Sequence, residues 1–148
     1  MKKKPRAGKT VELHLAAAVD DVGRLSEPLR EGADANTPGR EGWTPLHFAA
    51  QGGALRTGRL LLDHGASVDA TNKHGNTPLW VAVFNSKGGG GVIQLLRAAG
   101  ADPHRFNLAG NSPLALARKI ANYEVAQFFA DLPAELPIPI ARARRAKK

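Results

Sequence analysis

The sequence predicts an all-α fold in which four helix-turn-helix units stack into a solenoid. A seven-residue segment recurs along the chain, and the leucine at its third position recurs after 33, 33 and 35 residues, at Leu13, Leu46, Leu79 and Leu114. A glycine-led segment recurs in the same register, with spacings of 33 and 35 residues, at Gly32, Gly65 and Gly100. A unit of this length cannot bury an apolar layer alone, so neighbouring units must stack.

Each unit is predicted to contain two helices joined by a tight break. In three units the first helix begins with a hydroxyl residue as N-cap and a proline at the first helical position, where the missing N–H costs nothing. These pairs are Thr44-Pro45, Thr77-Pro78 and Ser112-Pro113. The second helix ends at the recurring glycine, which suits a left-handed C-terminal position. Alanines allow close approach of helices, and leucines supply the apolar layer between units.

The recurring segments TPLHFAA (44–50) and TPLWVAV (77–83), together with GADAN (32–36) and GASVD (65–69), resemble the ankyrin repeat. The resemblance covers about residues 10–131 and implies four repeats at about 10–38, 39–71, 72–106 and 107–132, the first and last of which act as caps. It also implies a curved stack of helix pairs with short hairpin loops on one side. In such repeats His14 and His47 are expected to tie a loop to a helix.

The first unit departs from the repeat pattern in two places. Val11 and Glu12 replace the Thr-Pro pair, which fits a terminal repeat with a polar outer face. Pro28 lies inside the predicted second helix, and a proline in a helix interior costs roughly 3 kcal/mol. That helix is therefore expected to bend or to restart near Ser26.

Later units depart from the pattern as well. Thr57 and Gly58 replace two branched apolar residues, so packing there is expected to be looser or closer than usual. Two extra residues fall in the segment 86–91, whose four glycines predict a mobile loop, either a tolerated surface insertion or an adaptable contact. In the fourth unit Phe128 and Phe129 are predicted to cap the core.

Basic residues are concentrated near the two ends. The formal net charge is +8, but ten of the 21 cations lie in residues 1–9 and 142–148, so 11 cations against 13 acids give the body about −2. A basic disordered tail is predicted over residues 1–9 and a Pro-rich basic disordered tail over residues 133–148. Because the chain has no cysteine and shows neither a signal peptide nor an apolar span, a cytoplasmic location is expected.

No arrangement of residues predicts catalysis. The segment AGKT (7–10) lacks the earlier glycine of a phosphate-binding loop, because Lys3 stands at that position. The five histidines have no metal-ligand spacing, and the acids are scattered along faces that are predicted to be solvated. We therefore expect no enzyme activity, no catalytic residue, no cofactor and no metal.

Recognition of another protein is the remaining candidate function. Ankyrin proteins usually grip partners with their hairpin tips and the exposed face of each first helix, so the resemblance assigns contacts position by position. The predicted contacts are Arg40, Glu41, Trp43, Gln51 and Gly52 in the second unit, Lys73, His74, Asn76, Trp80, Phe84 and Asn85 in the third, and Leu108, Asn111, Lys119 and Ile120 in the fourth. The aromatic residues either anchor a partner or cover neighbouring helices.

Two functional classes are consistent with this surface. The first is a non-enzymatic adaptor, monomeric when unbound, that binds one protein partner through its concave face and hairpin tips. The chain is similar to small stand-alone bacterial ankyrin proteins, some of which are immunity proteins that would act by occluding a toxin's active site. The alternative is association with nucleic acid or an anionic membrane through the basic tails, which would be salt-sensitive and independent of sequence.

Overall fold

The computed structural model describes residues 7–86, 90–120 and 125–133. These ranges contain α-helices and short 3-10 segments, and no strand occurs within them. The helices are α1 (Ala7–Ala18), α2 (Val22–Arg30), α3 (Pro45–Gly52), α4 (Leu55–Asp63), α5 (Pro78–Phe84), α6 (Gly91–Ala98) and α7 (Pro113–Lys119), with 3-10 helices at Arg40–Gly42 and Val125–Phe129. The structure confirms the predicted all-α class.

The helices form two layers. The first helices of the four units, α1, α3, α5 and α7, pack side by side in chain order, and the second helices α2, α4 and α6 pack in a parallel row. Each first helix also packs against the second helix of its own unit. We call the first of these layers the first-helix row. The arrangement is the stack of helix pairs predicted from the 33-residue period.

The predicted N-caps and the predicted C-terminal glycine are present at the helix ends. The Thr44 hydroxyl accepts from the His47 N–H at 3.4 Å, and the Ser112 hydroxyl accepts from the Ala115 N–H at 3.0 Å. Each cap is followed by proline at the first helical position. Gly65 ends the second helix of its unit with φ of 87°, a left-handed conformation that favours glycine.

The core is a continuous layer of leucine, valine and alanine between the two rows. Leu46, Leu61 and Leu79 are fully buried, and the alanines between units are almost inaccessible. Phe129 is 1% exposed and closes the core at the fourth unit, while Phe128 packs against it. The prediction that these two phenylalanines cap the core is confirmed.

Packing at Thr57 and Gly58 is close rather than loose. Both residues are buried, and a Cβ on Gly58 would lie 3.2 Å from Cδ2 of Leu95 in the next unit. The Thr57 hydroxyl donates to the Ala17 carbonyl at 2.8 Å in the preceding unit. Small and hydroxyl side chains therefore bring α4 nearer to both neighbours.

Asp20 lies at the junction between the first two units and caps α4. Its carboxylate accepts the Thr57 N–H at 2.8 Å, in the first turn of α4, where Ala54 at the N-cap position has no side-chain acceptor. Asp20 itself has φ of 59°, a left-handed conformation. The cap is thus provided from one repeat to the next.

The second helix of the first unit does not restart near Ser26, which was one of the two expected effects of Pro28. Helix α2 runs without a restart from Val22 to Arg30 with Pro28 inside it. Its start is fixed earlier, because the Asp21 carboxylate accepts the Arg24 N–H at 3.1 Å. Pro28 stands in the last turn, where its missing N–H removes a single bond from a helix that is about to end.

Three further expectations about the end units need correction. Helix α1 begins at Ala7, so residues 7–9 are helical and do not belong to the predicted basic tail. The exposed residues of α1 include the apolar Val11, which is 64% exposed, beside the exposed Lys9 and Glu12, so the outer face is mixed rather than polar. The second helix of the fourth unit is represented by the 3-10 helix Val125–Phe129. Two predicted features lie partly outside the described residues. They are the two tails, of which only residues 7–9 and Pro133 are described, and the glycine loop, of which residues 87–89 are not described.

The last unit is fastened to the third through Arg97. Its guanidinium donates to Asp131 at 2.6 and 2.8 Å and to the Phe128 carbonyl at 2.8 Å, and it lies 5.3 Å from the centre of the Phe129 ring. Gly90 faces the Phe128 ring so closely that a side chain at this position would overlap it. Gly90 thus leaves the space that the Phe128 ring occupies.

Candidate recognition surface

Three hairpins project from the N-terminal ends of α3, α5 and α7, and their tips are joined to one another. They span residues 39–43, 72–76 and 107–111, and each is closed by a backbone bond across its ends. The Lys73 N–H donates to the Glu41 carbonyl at 2.8 Å, and the Leu108 N–H donates to the His74 carbonyl at 3.0 Å. These bonds make the tips a continuous, ordered row.

The side chains on the tips are mostly exposed. Arg40 and Lys73 are exposed, and Leu108 is 72% exposed. His74 Nε2 lies 3.7 Å from Glu41 Oε2, with both side chains at least half exposed. A pair this exposed contributes little to stability, so these predicted contact residues remain available to a partner.

Asparagines in the hairpins make hydrogen bonds within and between units. Asn76 Oδ1 accepts from Asn107 Nδ2 at 2.8 Å, and Asn107 Oδ1 accepts two backbone N–H groups of its own hairpin. Asn111 Oδ1 accepts from the Lys119 ammonium at 3.3 Å. Asn76 and Asn111 are therefore structural as well as partly exposed.

His47 ties its helix to the next hairpin, as predicted. Nδ1 accepts the Thr44 N–H at 3.1 Å and Nε2 bonds to the Asn76 carbonyl at 2.8 Å, which requires the neutral ring with its proton on Nε2. Burial lowers the pKa of His47, although the bond to Asn76 opposes that shift. His14 makes an equivalent hydrogen bond, with Nε2 at 2.9 Å from the Thr37 carbonyl.

The aromatic side chains separate into packed and exposed members. Trp43 is half-buried, with its ring 5.2 Å from Phe48 and 5.7 Å from His47, so it covers neighbouring helices. Trp80 is also half-buried, but its ring stacks on Phe84 at 5.3 Å with planes 10° apart. Phe84 is 61% exposed. The pair forms a flat apolar platform at the end of α5.

Trp80 occupies the position that His47 holds in the unit before it. Its indole N–H is buried and has no hydrogen-bond partner among the described residues. The hydrogen bond between His47 and the next hairpin is therefore not repeated at Trp80. Replacement of histidine by tryptophan in the third unit exchanges that bond for the aromatic platform.

The C-terminal ends of the first helices place three different side chains in equivalent positions. Gln51, Phe84 and Lys119 stand at the same repeat position and are all exposed. The residues that follow them are held by the fold: Asn85 donates to the Val81 carbonyl at 2.9 Å, and Ile120 packs on the core. Gly52 lies against the Ala18 carbonyl, which leaves no room for a side chain.

The structure thus divides the predicted contact residues into two groups. The exposed group faces solvent from the hairpin tips and the first-helix ends, and comprises Arg40, Glu41, Gln51, Lys73, His74, Phe84, Leu108 and Lys119. The other group has intramolecular roles and comprises Trp43, Gly52, Asn76, Trp80, Asn85, Asn111 and Ile120. We call the exposed group the recognition row. No cluster of metal-ligating side chains occurs in the described part of the chain.

Comparison with known families decides the assignment. The family model described as ankyrin repeats (3 copies) matches residues 13–107, which is more than half of the chain. The chain belongs to the ankyrin repeat family. Ankyrin repeats are generally non-enzymatic protein-interaction modules. The four helix pairs and joined hairpins of this structure have the expected architecture.

Similar ankyrin proteins come from viruses, bacteria and animals. An ankyrin repeat protein of Fowlpox virus (strain NVSL) is 32% identical over 126 residues, covering 81% of this chain and 21% of that protein. YahD of Escherichia coli (strain K12) is 37% identical over 112 residues, covering 73% of this chain and 56% of that protein. Human Rabankyrin-5 is 35% identical over 109 residues, covering 62% of this chain and 9% of that protein.

The chain spans about a fifth of the fowlpox protein and about half of YahD. Among the described residues, no helix has the length and apolar character needed to cross a membrane.

Proposed function

We propose that this ankyrin protein binds a protein partner through the recognition row, with Phe84 as the apolar anchor. The observation that carries the proposal is the exposure of Phe84, 61%, while its ring is held parallel to Trp80 at 5.3 Å. An aromatic ring fixed by stacking loses little conformational entropy when a partner covers it. Aromatic residues of this kind dominate the energetics of many interfaces.

The surroundings of Phe84 fit the anatomy of a protein interface. A central apolar platform is flanked by Gln51 and Lys119 on the neighbouring helices, and the hairpin tips add charged groups. Interfaces typically combine an apolar centre with a polar rim. The backbone bonds between tips fix the spacing of that rim before a partner arrives, which reduces the entropy cost of binding.

Charge on the recognition row favours an acidic partner. Its cations are Arg40, Lys73 and Lys119, and its single acid, Glu41, lies beside His74. The other 12 acids of the chain are not members of the recognition row. Complementary charge chiefly accelerates association and sets specificity, so binding should weaken as ionic strength rises.

Affinity capture with matched variants tests the proposal. The tagged chain, Phe84→Ala and the control Arg59→Ala, which alters an exposed residue of α4, are used to capture proteins from the native cell. Affinity of the purified partner is then measured by calorimetry. We expect Phe84→Ala to weaken binding at least about 10-fold, equivalent to roughly 1.4 kcal/mol, and Arg59→Ala to leave it unchanged. Equal affinity of all three chains would refute the role of Phe84.

The inhibitor role suggested by the resemblance to immunity proteins is a narrower form of this proposal. It requires that the captured partner be an enzyme and that a stoichiometric amount of this chain abolish its activity. The same wild-type and Phe84→Ala chains provide the comparison.

Association of the basic tails with nucleic acid or anionic membranes is the second candidate class. Because α1 begins at Ala7, the appropriate deletion removes residues 1–6 and 134–148 and retains every helix of the described residues. If this deletion abolishes partner binding while Phe84→Ala still binds the partner, the result favours the tails over the recognition row.

A further inference from the structure

The second and third hairpins begin with asparagines that have the same role within each hairpin. Asn72 Oδ1 accepts the N–H groups of His74 and Asn76 at 2.9 and 3.1 Å. Asn107 Oδ1 accepts the two equivalent N–H groups of its own hairpin at 3.0 and 2.9 Å. These bonds fix which amide atom is the oxygen, so Nδ2 is the remaining donor in both side chains.

Only one of these two Nδ2 donors has an acceptor. Asn107 Nδ2 donates at 2.8 Å to Oδ1 of Asn76, the last residue of the second hairpin. Asn72 is 6% exposed, and its Nδ2 is buried without a hydrogen-bond partner in the described part of the chain. The residue that ends the first hairpin is Trp43, whose side chain offers no acceptor atom. The side-chain bond between the second and third hairpins therefore has no counterpart between the first and second.

The other tryptophan removes a different bond. Trp80 stands one repeat after His47, whose Nε2 donates to the Asn76 carbonyl at 2.8 Å. The indole N–H of Trp80 is buried, and it meets no acceptor within the described ranges. Each junction between neighbouring hairpins thus keeps one of two possible side-chain bonds. The missing bond is in each case the one whose position a tryptophan occupies.

Both tryptophans lie on the same side of the molecule. The Trp43 ring is 5.7 Å from the His47 ring, and Trp80 occupies the position of His47 one unit later. Trp80 in turn stacks on the exposed Phe84. Both tryptophan side chains are half-buried. Because packed helices lie about 10 Å apart, the surfaces around Trp43 and Phe84 are separated by about one such step along the first-helix row.

The lost bonds are unfavourable for the fold. A buried donor without an acceptor costs free energy, because the group has lost its water without gaining a bond in exchange. The loss occurs twice, and an aromatic ring stands beside the recognition row each time. Proteins depart from the locally favourable choice mainly at functional sites. The two tryptophans therefore have the character of residues that serve binding rather than the stack.

We propose that both tryptophans shape the contact surface for the protein partner: Trp43 touches the partner through its half-exposed ring, and Trp80 positions the Phe84 ring. This inference rests on the proposed function and specifies the partner's chemistry. The partner presents two apolar side chains about 10 Å apart, one for Trp43 and one for Phe84. Acidic groups near them face the exposed cations Arg40 and Lys73.

Restoring the missing bonds tests whether the tryptophans cost stability, and this test needs no partner. Trp43→Asn supplies an acceptor for Asn72 Nδ2, whereas Trp43→Leu removes the ring and supplies none. Trp80→His supplies a ring nitrogen for the Asn111 carbonyl, and Trp80→Leu is its control. Each restored chain should have a midpoint temperature about 3 °C or more above its leucine control and no lower than wild type. Equal midpoints of the restored and leucine chains would overturn the inference, because tryptophan then serves packing alone.

An identical change at the two equivalent asparagines tests the unpaired donor itself. Aspartate keeps an acceptor for the backbone N–H groups but has no Nδ2 donor. Asn107→Asp should lower the midpoint temperature, because it removes the bond to Asn76. Asn72→Asp has no such bond to lose, and its midpoint should fall by about 3 °C less. Equal losses at the two positions would remove the basis of the inference.

Binding can be observed at the tryptophans themselves. The chain has two tryptophans, so fluorotryptophan incorporation gives two fluorine resonances, which the single variants assign. The protein captured by the wild-type chain should shift both resonances. Trp43→Asn and Trp80→His should each bind it at least about 10-fold more weakly, and Trp80→Phe, whose ring can still stack on Phe84, should retain most of the affinity. An unshifted Trp43 resonance, or full affinity in both restored chains, would overturn the inference.

The same variants separate this inference from the proposed function. If Phe84→Ala weakens binding while both restored chains bind like wild type, the recognition row stands and the inference about the tryptophans fails. If Trp43→Asn loses binding while Phe84→Ala keeps it, the contact through Trp43 stands and Phe84 is not the anchor.

Discussion

Substitution of Asp20 should separate the two roles that this residue has in the stack. Its carboxylate caps α4 of the next repeat through the Thr57 N–H at 2.8 Å, and its backbone is left-handed with φ of 59°. Loss of a capping side chain costs about 1 kcal/mol, with a range of about 0.5 to 2. A residue other than glycine in this backbone conformation costs roughly 1 to 2 kcal/mol.

These magnitudes predict an order for three variants. Asp20→Ala loses the cap and keeps the backbone strain, so the free energy of unfolding should fall by about 1 to 2 kcal/mol. Asp20→Gly loses the same cap but relieves the strain, so its stability should stay within about 0.5 kcal/mol of wild type. Asp20→Asn retains an acceptor oxygen and should lie between them. The aligned residue Gly53 already has φ of 64°.

The assay is urea unfolding followed by circular dichroism, with the midpoint temperature as a second measure. For a chain of 148 residues, each 1 kcal/mol lowers the midpoint by about 3 °C. If Asp20→Gly is destabilised as much as Asp20→Ala, backbone strain at this position is not significant. If neither variant is destabilised, the carboxylate does not cap α4.

The capping bond of Asp20 should also depend on pH. Burial opposes ionisation of this carboxyl, but the Thr57 N–H and the Arg56 guanidinium outweigh it and hold its pKa below the ordinary 3.8. A lowered folded-state pKa means that the stabilisation is present above pH 3.8 and is lost as pH falls through the lower folded value. Asp20→Asn should remove this component of acid unfolding.

Three further substitutions test other contacts. Gly90→Ala should lower the free energy of unfolding by about 1 to 3 kcal/mol, because its side chain would overlap the Phe128 ring. The control is Gly91→Ala, because the nearest atoms to a Cβ at this position lie at 3.9 Å. It should be neutral in the same urea assay. The buried, neutral His47 has a lowered pKa, so stability is full above pH 6.5 and falls as pH decreases; His47→Gln should flatten that dependence in thermal scans. Asp131→Asn should accelerate amide hydrogen exchange across residues 125–132, and unchanged exchange would contradict the Arg97 contact.

Much of the fold could be predicted because its signals are local and repeated. Thr44 and Pro45 specify a helix start from two adjacent residues, and Gly65 specifies a helix end from one. The period of 33 residues then requires stacking. Pro28 was misjudged because its cost depends on how many turns of helix follow it, and the helix boundary was set by Asp21, whose capping role was overlooked.

The candidate site was less predictable, because exposure depends on neighbouring units. Trp43 and Phe84 are both aromatic residues near groove positions, yet Trp43 packs against Phe48, whereas Phe84 stays 61% exposed. The exposure of Val11 and Leu15 on α1 was not predicted either, because the expectation of a polar outer face rested on Val11 and Glu12 alone.

The sequence by itself determined the class, the number of helix pairs and the ankyrin family, because caps, prolines and glycines act within a few residues and recur with a fixed period. Only the tertiary structure decided which side chains are free. Capping of α4 by Asp20, attachment of the last unit by Arg97, and exposure of Phe84 each depend on how residues distant in the chain are placed. Such contacts depend on how units sit against one another, and spacing along the sequence does not encode that directly.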